Sequence, residues 1–394
     1  MSSTRSNRLP SGTWGFPIPI HFGPGRIGEL PAIARQAGMV RPLLVSDSAT
    51  AALPFVGEIL QRLESAGFEP VLFSDFSANP TDTECIRGGE VFRESGRDGV
   101  IALGGGSSLD AGKAIAISAL QANTDFWAFD GLAEPLKAES LRPFAPLLCV
   151  PTTSGTGAEV EPAGMVTHTG TREKRAFLHP DFRASAAILD PELTTGLPAN
   201  LTAWTGLDAI VHAIEAYLVP EFHPMCDGIA LQALGLMAPA VRRAHRDGSD
   251  LEARFSMMVG SCLAAVAFAK GLGIVHAVSH MVGGLYDTQH GLTNAVILPA
   301  ALRFNRAAIE HKAAELARAC GAPSHDFDGL YAWVVELNLA FDIPHGLGEL
   351  GAVPRDGERL TDMAMHDLCL PTNPRPVARA ELADFIAAAI EKTW

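Results

Sequence analysis

Short apolar runs alternate with amphipathic segments through the first half of the chain. Five such runs predict strands at residues 42–46, 70–73, 99–103, 146–150 and 186–189. The run at 99–103 carries no polar side chain, which is typical of a parallel strand buried on both faces. Amphipathic stretches that pass through Leu60 and Leu63, and at 81–95 and 108–119, predict helices between the strands. This alternation predicts a doubly wound α/β domain with a parallel sheet.

The pattern changes after Leu193, and from Leu201 onward it is almost entirely helical. Long segments rich in Ala, Leu, Ile and Met predict helices at 202–218, 229–245, 251–267, 307–320 and 379–391. Gly196, Pro198 and Asn200 interrupt the chain between the two patterns. We therefore predict two domains: an α/β domain over 1–196 and an all-α domain over 197–394.

Charge and cysteine content restrict the class of protein. The 394 residues include 44 acidic and 30 Lys or Arg side chains, a formal net charge of −14. Such a chain is a poor ligand for phosphate backbones, so we expect no nucleic-acid partner. Six scattered cysteines without a CxxC pair indicate reduced thiols. With no signal peptide and no uninterrupted apolar run that would span a bilayer, we expect a cytoplasmic protein without a membrane partner.

A glycine-rich segment follows the buried strand at 99–103 and opens a helix. Its sequence, Leu-Gly-Gly-Gly-Ser-Ser-Leu-Asp at 103–110, differs from the GxGxxG fingerprint. Consecutive glycines allow close backbone approach, and a helix N-terminus offers free N–H groups to an anion. The same sequence also suits a plain tight turn. Its place at the end of a parallel strand favours a phosphate-binding loop.

Two further strand ends carry polar groups suited to a dinucleotide. Asp47 follows the first predicted strand, where a carboxylate accepts hydrogen bonds from ribose hydroxyls and repels a 2′-phosphate. The alternative for Asp47 is an Asx turn or a helix cap. The hydroxyl-rich loop at 151–157 follows another strand and either lines a dinucleotide or forms an irregular turn.

Five polar residues in the most apolar part of the chain suggest a metal site. Asp208 and His212 are four residues apart, as are His276 and His280, and His290 follows. On a helix each pair shares one face. A single pair is more often a hydrogen-bonded core feature, but uncompensated charge and imidazole in a core are costly, which favours coordination for the whole set. One carboxylate with several imidazoles suits Fe²⁺ or Zn²⁺ rather than Mg²⁺ or Ca²⁺. Spacing alone leaves open which of the five is not a ligand.

These segments together resemble the iron-containing (group III) alcohol dehydrogenase family. The matching blocks follow the family order over nearly the whole chain: 22–25, 79–80, 104–113, 151–160, 205–217, 273–299 and 373–375. The resemblance implies a dehydroquinate synthase-like architecture, with catalysis between a dinucleotide-binding α/β domain and a helical domain. It implies that the metal ligands are Asp208, His212, His276 and His290. His280 then falls on a nearby histidine outside the ligand set, and we assign it to the proton relay.

The resemblance also assigns the dinucleotide contacts. They fall on Asp47, Asn79, Gly104, Gly105, Gly106, Ser107, Asp110, Thr152, Thr153, Thr156, Lys174 and Leu193. The acid at Asp47 favours NAD over NADP. Fe²⁺ is the first expectation for the metal and Zn²⁺ the second, and the family implies a homodimer or a larger homo-oligomer.

Three residues are candidates for contact with the substrate: Phe268, Lys270 and Cys369. Lys270 stands where many relatives have an Asn-rich stretch, and a cation in this apolar segment suggests binding of an anionic substrate tail. The alternative is a snorkelling surface lysine. Cys369 is assigned either to the pocket or to packing. The absence of Asn from 161–164, where some diol-using relatives carry it, argues against a diol substrate.

The expected activity is NAD-linked interconversion of a small primary alcohol and its aldehyde, with the metal as Lewis acid and His280 or a water chain carrying the proton. One alternative is a metal- and NAD-dependent lyase of the dehydroquinate synthase type, which the scarcity of basic residues around the histidines disfavours. Glycerol dehydrogenase relatives are disfavoured by the complete Asp-plus-three-His set. A catalytically silent NAD- or metal-binding regulator is the third alternative.

Overall fold

The computed structural model describes residues 18–394 and contains eight strands. In chain order they are β1 (Ile20–Phe22), β2 (Pro42–Val45), β3 (Val71–Phe73), β4 (Gly99–Gly104), β5 (Leu147–Pro151), β6 (Ala163–Thr167), β7 (Lys174–Leu178) and β8 (Ala186–Leu189). Six of them form a parallel sheet in the order β1-β8-β5-β4-β2-β3. All five predicted strands are in this sheet. The prediction missed β1, a three-residue strand at the sheet edge, and the separate antiparallel hairpin of β6 and β7.

Helices cover both faces of the parallel sheet. The helices of this half are α1 (Leu30–Gln36), α2 (Ser48–Ala51), α3 (Pro54–Ser65), α4 (Asp82–Glu94) and α5 (Gly106–Ser118). Alternate residues of β4 face opposite sides: Val100 packs with α4 and α5, whereas Ile101 packs with α1 and α3. Thr81 starts α4 with a capping box, in which its hydroxyl accepts from the Glu84 backbone N–H. The predicted doubly wound α/β architecture is confirmed.

The second half is helical, as predicted. Its helices are α6 (Ala199–Leu218), α7 (Pro224–Arg246), α8 (Leu251–Ala267), α9 (Ile274–Tyr286), α10 (His290–Cys320), α11 (Phe327–Ala340), α12 (Gly357–Ala364) and α13 (Arg379–Glu391). Helix α6 is central and buried continuously from Gly206 to Leu218. Helix α10 is much longer than the predicted segment at 307–320, because it continues through Pro299. A proline removes one main-chain hydrogen bond, so the local pattern suggests a break that tertiary packing overrides.

Two helical segments of the described chain are long and apolar enough to cross a bilayer by length and composition alone. They are Pro224–Arg246 and Leu251–Lys270, with 44% and 56% of their apolar windows buried inside the protein. Their inner faces contribute Leu234, Met237 and Met257 to the helical core. Core helices of a water-soluble protein have this partial burial, and so these segments are weak evidence for a membrane protein.

A candidate metal and dinucleotide site in the cleft

A large cleft separates the carboxyl ends of the sheet strands from helices α6, α9 and α10. Its volume is about 2270 Å³, and its walls include Asp47 after β2, Gly105 after β4 and Thr152 after β5. The chain passes from β3 back across β2 to β4, so the strand order reverses between β2 and β4. Open α/β sheets bind ligands at such a switch point. The volume exceeds the roughly 300–1,000 Å³ of ordinary small-molecule pockets and suits a dinucleotide together with a substrate.

The glycine-rich loop forms the turn between β4 and α5. Gly104 has φ +145°, a conformation that side chains disfavour, and a Cβ there would lie 2.5 Å from the Ser108 hydroxyl. Gly105 is the N-cap of α5 and has no side chain to occupy the free N–H groups of the first turn. The first turn of α5 therefore presents bare backbone donors to the cleft, as the sequence predicted.

Asp47 is both a helix cap and part of the cleft wall. Its Oδ1 accepts from the backbone N–H groups of Ala49 and Thr50, and its Oδ2 accepts from the Ser108 hydroxyl at 2.8 Å. The capping alternative is thus realised, and it holds the carboxylate beside the glycine loop. Contact between Asp47 and a ribose stays a prediction.

Most of the other residues assigned to the dinucleotide lie on the same wall. Apart from Gly104, all of them line the cleft: Asn79, Gly105, Gly106, Ser107, Asp110, Thr152, Thr153, Thr156, Lys174 and Leu193. Asn79 also donates from its side-chain amide to Asp287, which lies across the cleft mouth at the end of α9. Burial raises the pKa of Asp110, although Lys113 and Lys174 oppose the shift.

Three helices bring Asp208, His212, His276 and His290 together. Their candidate ligand atoms all lie within 4.8 Å of one another. The Nε2 atoms of His212, His276 and His290 lie 3.8, 3.9 and 3.6 Å from Asp208 Oδ1. Helix α10 approaches α6 closely because residue 291 is glycine: a Cβ there would lie 2.2 Å from the Trp204 carbonyl oxygen. His280 lies outside this group of four.

The chemistry of these donors fits a divalent cation. Asn294, one turn after His290, directs its amide nitrogen at Asp208 Oδ1 (2.7 Å), His276 Nε2 (3.1 Å) and His290 Nε2 (3.1 Å). An amide has two hydrogens, so three acceptors compete for them, and a cation satisfies this surplus. Burial, followed by the neighbouring imidazoles, holds the pKa of His276 and His290 well below the ordinary value. Neutral imidazoles keep the lone pairs that a borderline metal ion needs.

His280 has a different partner from the four clustered residues. Its Nδ1 lies 2.9 Å from Asp367 Oδ2, and its ring stacks on His290 at a centroid distance of 5.3 Å. The other oxygen of Asp367 accepts from the Cys369 backbone N–H at 2.8 Å. Burial opposes ionisation of Asp367, but His280 and the hydrogen bonds from Cys369 together outweigh burial and lower the pKa of the carboxyl group. Sequence reasoning missed Asp367, although it lies only two residues before Cys369.

The structure corrects one of the two interpretations of Lys270. Its side chain is fully buried, so it is not a snorkelling surface lysine. Its ammonium group pairs with the Asp227 carboxylate, and the residue also lines the cleft, so its contact with an anionic substrate tail stays a prediction. A pairing between residues 43 positions apart leaves no local pattern in the sequence.

The other two substrate candidates line the same cleft as Lys270. Phe268 packs 4.8 Å from the His212 ring, measured between centroids, and Cys369 is half-buried. Burial raises the pKa of the Cys369 thiol well above the ordinary value, and so the thiol is neutral at physiological pH.

Fold and site together define a two-domain protein whose cleft suits a dinucleotide and a divalent metal ion. Comparison with known families identifies its group. The family model described as iron-containing alcohol dehydrogenase matches residues 17–191, and the model of the C-terminal part of the same family matches residues 202–390. The chain belongs to the iron-containing alcohol dehydrogenase family.

Known relatives agree over nearly full length. A 4-hydroxybutyrate dehydrogenase of Cupriavidus necator is 37% identical over 92% of this chain and 95% of its own. The crystal structure of a 1,3-propanediol oxidoreductase has a TM-score of 0.88 and 34% identity, covering 96% of this chain and all of its own. A sulfoacetaldehyde reductase from Bifidobacterium kashiwanohense, solved with NAD⁺, has a TM-score of 0.84 and 27% identity, covering 96% and 99%. The chain is an NAD-dependent alcohol dehydrogenase or aldehyde reductase, and these relatives do not favour the lyase.

Proposed function

We propose that the chain interconverts a short primary alcohol and its aldehyde with NAD, at a divalent ion held by Asp208, His212, His276 and His290. The observation that carries this proposal is the position of the four-residue cluster on the cleft that also contains the glycine-rich loop. The balanced reaction converts one alcohol and NAD⁺ into one aldehyde, NADH and a proton.

Different parts of the cleft bind different parts of the dinucleotide and the substrate. The first turn of α5 offers N–H donors to the pyrophosphate, and the Asp47 carboxylate receives the adenosine ribose and excludes a 2′-phosphate. The large cleft positions the nicotinamide and the alcohol together, which supplies the orientation that hydride transfer requires.

Proton movement is assigned to His280. When bound, the metal ion supplies Lewis-acid polarisation of the alcohol oxygen, and NAD⁺ accepts the hydride. Asp367 accepts only, so it keeps a proton on Nδ1 of His280 and leaves Nε2 free to receive the alcohol proton. His280 then releases that proton to water in the open part of the cleft.

The donor types suit both Fe²⁺ and Zn²⁺, and membership of the iron-containing family makes Fe²⁺ our first choice and Zn²⁺ our second. We further propose a cytoplasmic homodimer or larger homo-oligomer. All six cysteines are free thiols, which supports a reducing compartment. Molar mass from light scattering checks the assembly, and a monomer at micromolar concentration would contradict it.

A neutral short alcohol is our first choice of substrate, because Asp227 already compensates the Lys270 charge. Two relatives are named for 4-hydroxybutyrate and sulfoacetaldehyde, so the substrates to be tested also include compounds with an acidic tail. Lys270→Met tests the point directly. We expect it to lower thermal stability and to leave the ratio of KM values for butanal and 4-oxobutanoate unchanged. A rise in KM for 4-oxobutanoate alone would show that Lys270 contacts the anionic tail of the substrate.

The test of the whole proposal is anaerobic NADH oxidation by metal-stripped protein, with Fe²⁺ or Zn²⁺ restored, across neutral and acid-tailed aldehydes. We expect activity to return with metal and to vanish in His276→Ala. If metal and NADH both bind but no aldehyde is reduced, the dehydrogenase assignment fails, and the lyase and regulator alternatives return.

A further inference from the structure

Glu215 is a buried carboxylate that contacts a candidate metal ligand from behind. It lies on α6, three residues after His212 and seven after Asp208, and its side chain is only 7% exposed. Its Oε1 accepts from the Val275 backbone N–H at 2.9 Å. Its Oε2 accepts from the His276 ring at Nδ1, 2.6 Å away, and from the His276 backbone N–H at 3.4 Å. One side chain therefore holds both the start of α9 and the ring that α9 carries.

This contact determines which ring nitrogen of His276 carries the proton. An ionised carboxylate accepts and does not donate, so Nδ1 must carry the hydrogen. The lone pair is then on Nε2, the atom that faces Asp208 Oδ1. The ring is held in the tautomer and orientation that a metal ligand needs.

The other two clustered histidines lack this arrangement. Within the described residues, His212 Nδ1 is buried without a hydrogen-bond partner. In the part of the chain that the structure describes, the partner of His290 Nδ1 is the Ser279 hydroxyl, at 3.4 Å. Among the described residues, His276 is the one of the three imidazoles whose Nδ1 contacts a carboxylate at hydrogen-bond distance.

We propose that Glu215 is a positioning residue that sets metal affinity by fixing the tautomer and angle of His276. The proposal rests on the four-residue metal set proposed above. Because α6 also carries Asp208 and His212, Glu215 ties the third ligand to the helix that supplies the first two. The angle between α6 and α9 at the metal is then set by one side chain.

Glu215→Gln is the informative substitution because it keeps the shape of the side chain. One carboxylate oxygen becomes an NH₂ group, which must face either the Val275 N–H or the Nδ1–H of His276. If the NH₂ group faces the Nδ1–H of His276, two donors oppose each other. This opposition is relieved only when the His276 proton moves to Nε2, and that nitrogen then cannot bind a metal. Outer partners of this kind typically contribute about 10- to 100-fold in metal affinity.

Asn373 provides a matched control at the same helix end. Its Oδ1 accepts from the Ile274 backbone N–H at 3.2 Å and from Asn305 Nδ2 at 3.0 Å. It supports the start of α9, and within the described residues its side chain bonds to Ile274, Asn305 and Arg375 rather than to a histidine. Asn373→Ala therefore reports the cost of loosening the helix end alone.

The experiment measures Zn²⁺ affinity by competition with a chromophoric chelator, and Tm with and without saturating Zn²⁺. All measurements are made at pH 8. For Glu215→Gln we expect Zn²⁺ binding weaker by about 10- to 100-fold and a smaller metal-induced rise in Tm. Asn373→Ala should lower Tm both with and without Zn²⁺ and leave the metal-induced rise in Tm unchanged.

Two results would overturn the proposal. Glu215→Gln with wild-type Zn²⁺ affinity and an equal fall in both Tm values would make Glu215 a helix cap only. Glu215→Asp keeps an acceptor-only group and should bind Zn²⁺ more tightly than Glu215→Gln, and the opposite order would contradict the tautomer argument. Failure of the wild type to bind Zn²⁺ or Fe²⁺ is distinguishable from both, because it would overturn the metal set itself and this inference with it.

Discussion

Gly291→Ala should damage the metal site by adding a single methyl group. The new Cβ would lie 2.2 Å from the Trp204 carbonyl oxygen and 2.9 Å from Asp208 Cβ. Comfortable contacts of this kind lie near 3.5 Å, so the start of α10 must retreat by roughly 1 Å. Both Trp204 and Asp208 belong to α6, whereas His290 is the first residue of α10. The retreat therefore separates two ligands whose atoms lie 3.6 Å apart.

Metal coordination does not tolerate such a displacement, because ligand distances are held to about 0.2 Å. Misplacement by about 1 Å near reacting groups costs on the order of 100-fold in rate. We expect Gly291→Ala to lose at least that factor in kcat/KM and to bind Zn²⁺ more weakly. Overpacking should lower the free energy of unfolding by about 1–3 kcal/mol. The fold should survive, since the clash is confined to the contact between α6 and α10.

Gly228→Ala is the matched control. It also places alanine in a helix, on α7, but a Cβ there meets nothing within 4 Å. Helix propensity predicts a gain of up to about 1 kcal/mol, with metal affinity unchanged. We compare the two variants by chelator competition for Zn²⁺, by kcat/KM and by thermal unfolding. Wild-type Zn²⁺ affinity in Gly291→Ala would refute the argument that close approach of α10 to α6 assembles the site.

Two further predictions follow from the hydrogen bonds described above, and a third follows from the burial of Glu159, which lies between β5 and β6 and is only 3% exposed. Asp367→Asn should lower kcat by about 10²- to 10⁴-fold at unchanged metal content, because an amide no longer holds the proton of His280 on Nδ1; a kcat within twofold of wild type would contradict the relay. Asp47→Asn keeps a capping oxygen but removes the charge, and we expect KM for NADP⁺ to fall about tenfold or more with Tm unchanged; an unaltered KM would show that Asp47 does not select the cofactor. Burial raises the pKa of Glu159 to about 7 from 4.5, so its contribution to stability is fully present below pH 4.5 and is lost as pH rises through 7. Between pH 5 and 8 the free energy of unfolding of Glu159→Gln should therefore fall by up to about 3 kcal/mol less than that of the wild type, as measured by denaturant unfolding. Parallel pH profiles of the two proteins would contradict this reasoning.

Much of the site follows from local spacing. Asp208 and His212 lie on one face of α6 because they are four residues apart, and the glycines at 104–106 begin a helix at the end of a buried strand. Both features are short-range consequences of helix periodicity and backbone freedom. Together with the alternation of apolar runs and the long helical segments, they predict the α/β domain, the helical half and the donor groups of the cleft.

Spacing did not distinguish His276 from His280, since each is a histidine on the same face of α9. Packing separates them: Glu215 directs His276 towards Asp208, whereas Asp367 holds His280. These partners are 61 and 87 residues away in sequence. The burial of Lys270 against Asp227 and the hairpin of β6 and β7 were missed in the same way.

The sequence by itself determined which residues are chemically able to bind metal and dinucleotide, and on which face of each element they lie. Only the tertiary structure decided which of them meet. The 3.6-residue period sets the direction in which each side chain points from its own helix. The convergence of α6, α9 and α10, however, depends on the volume of the side chains where the helices cross, and at Gly291 it depends on the lack of a side chain.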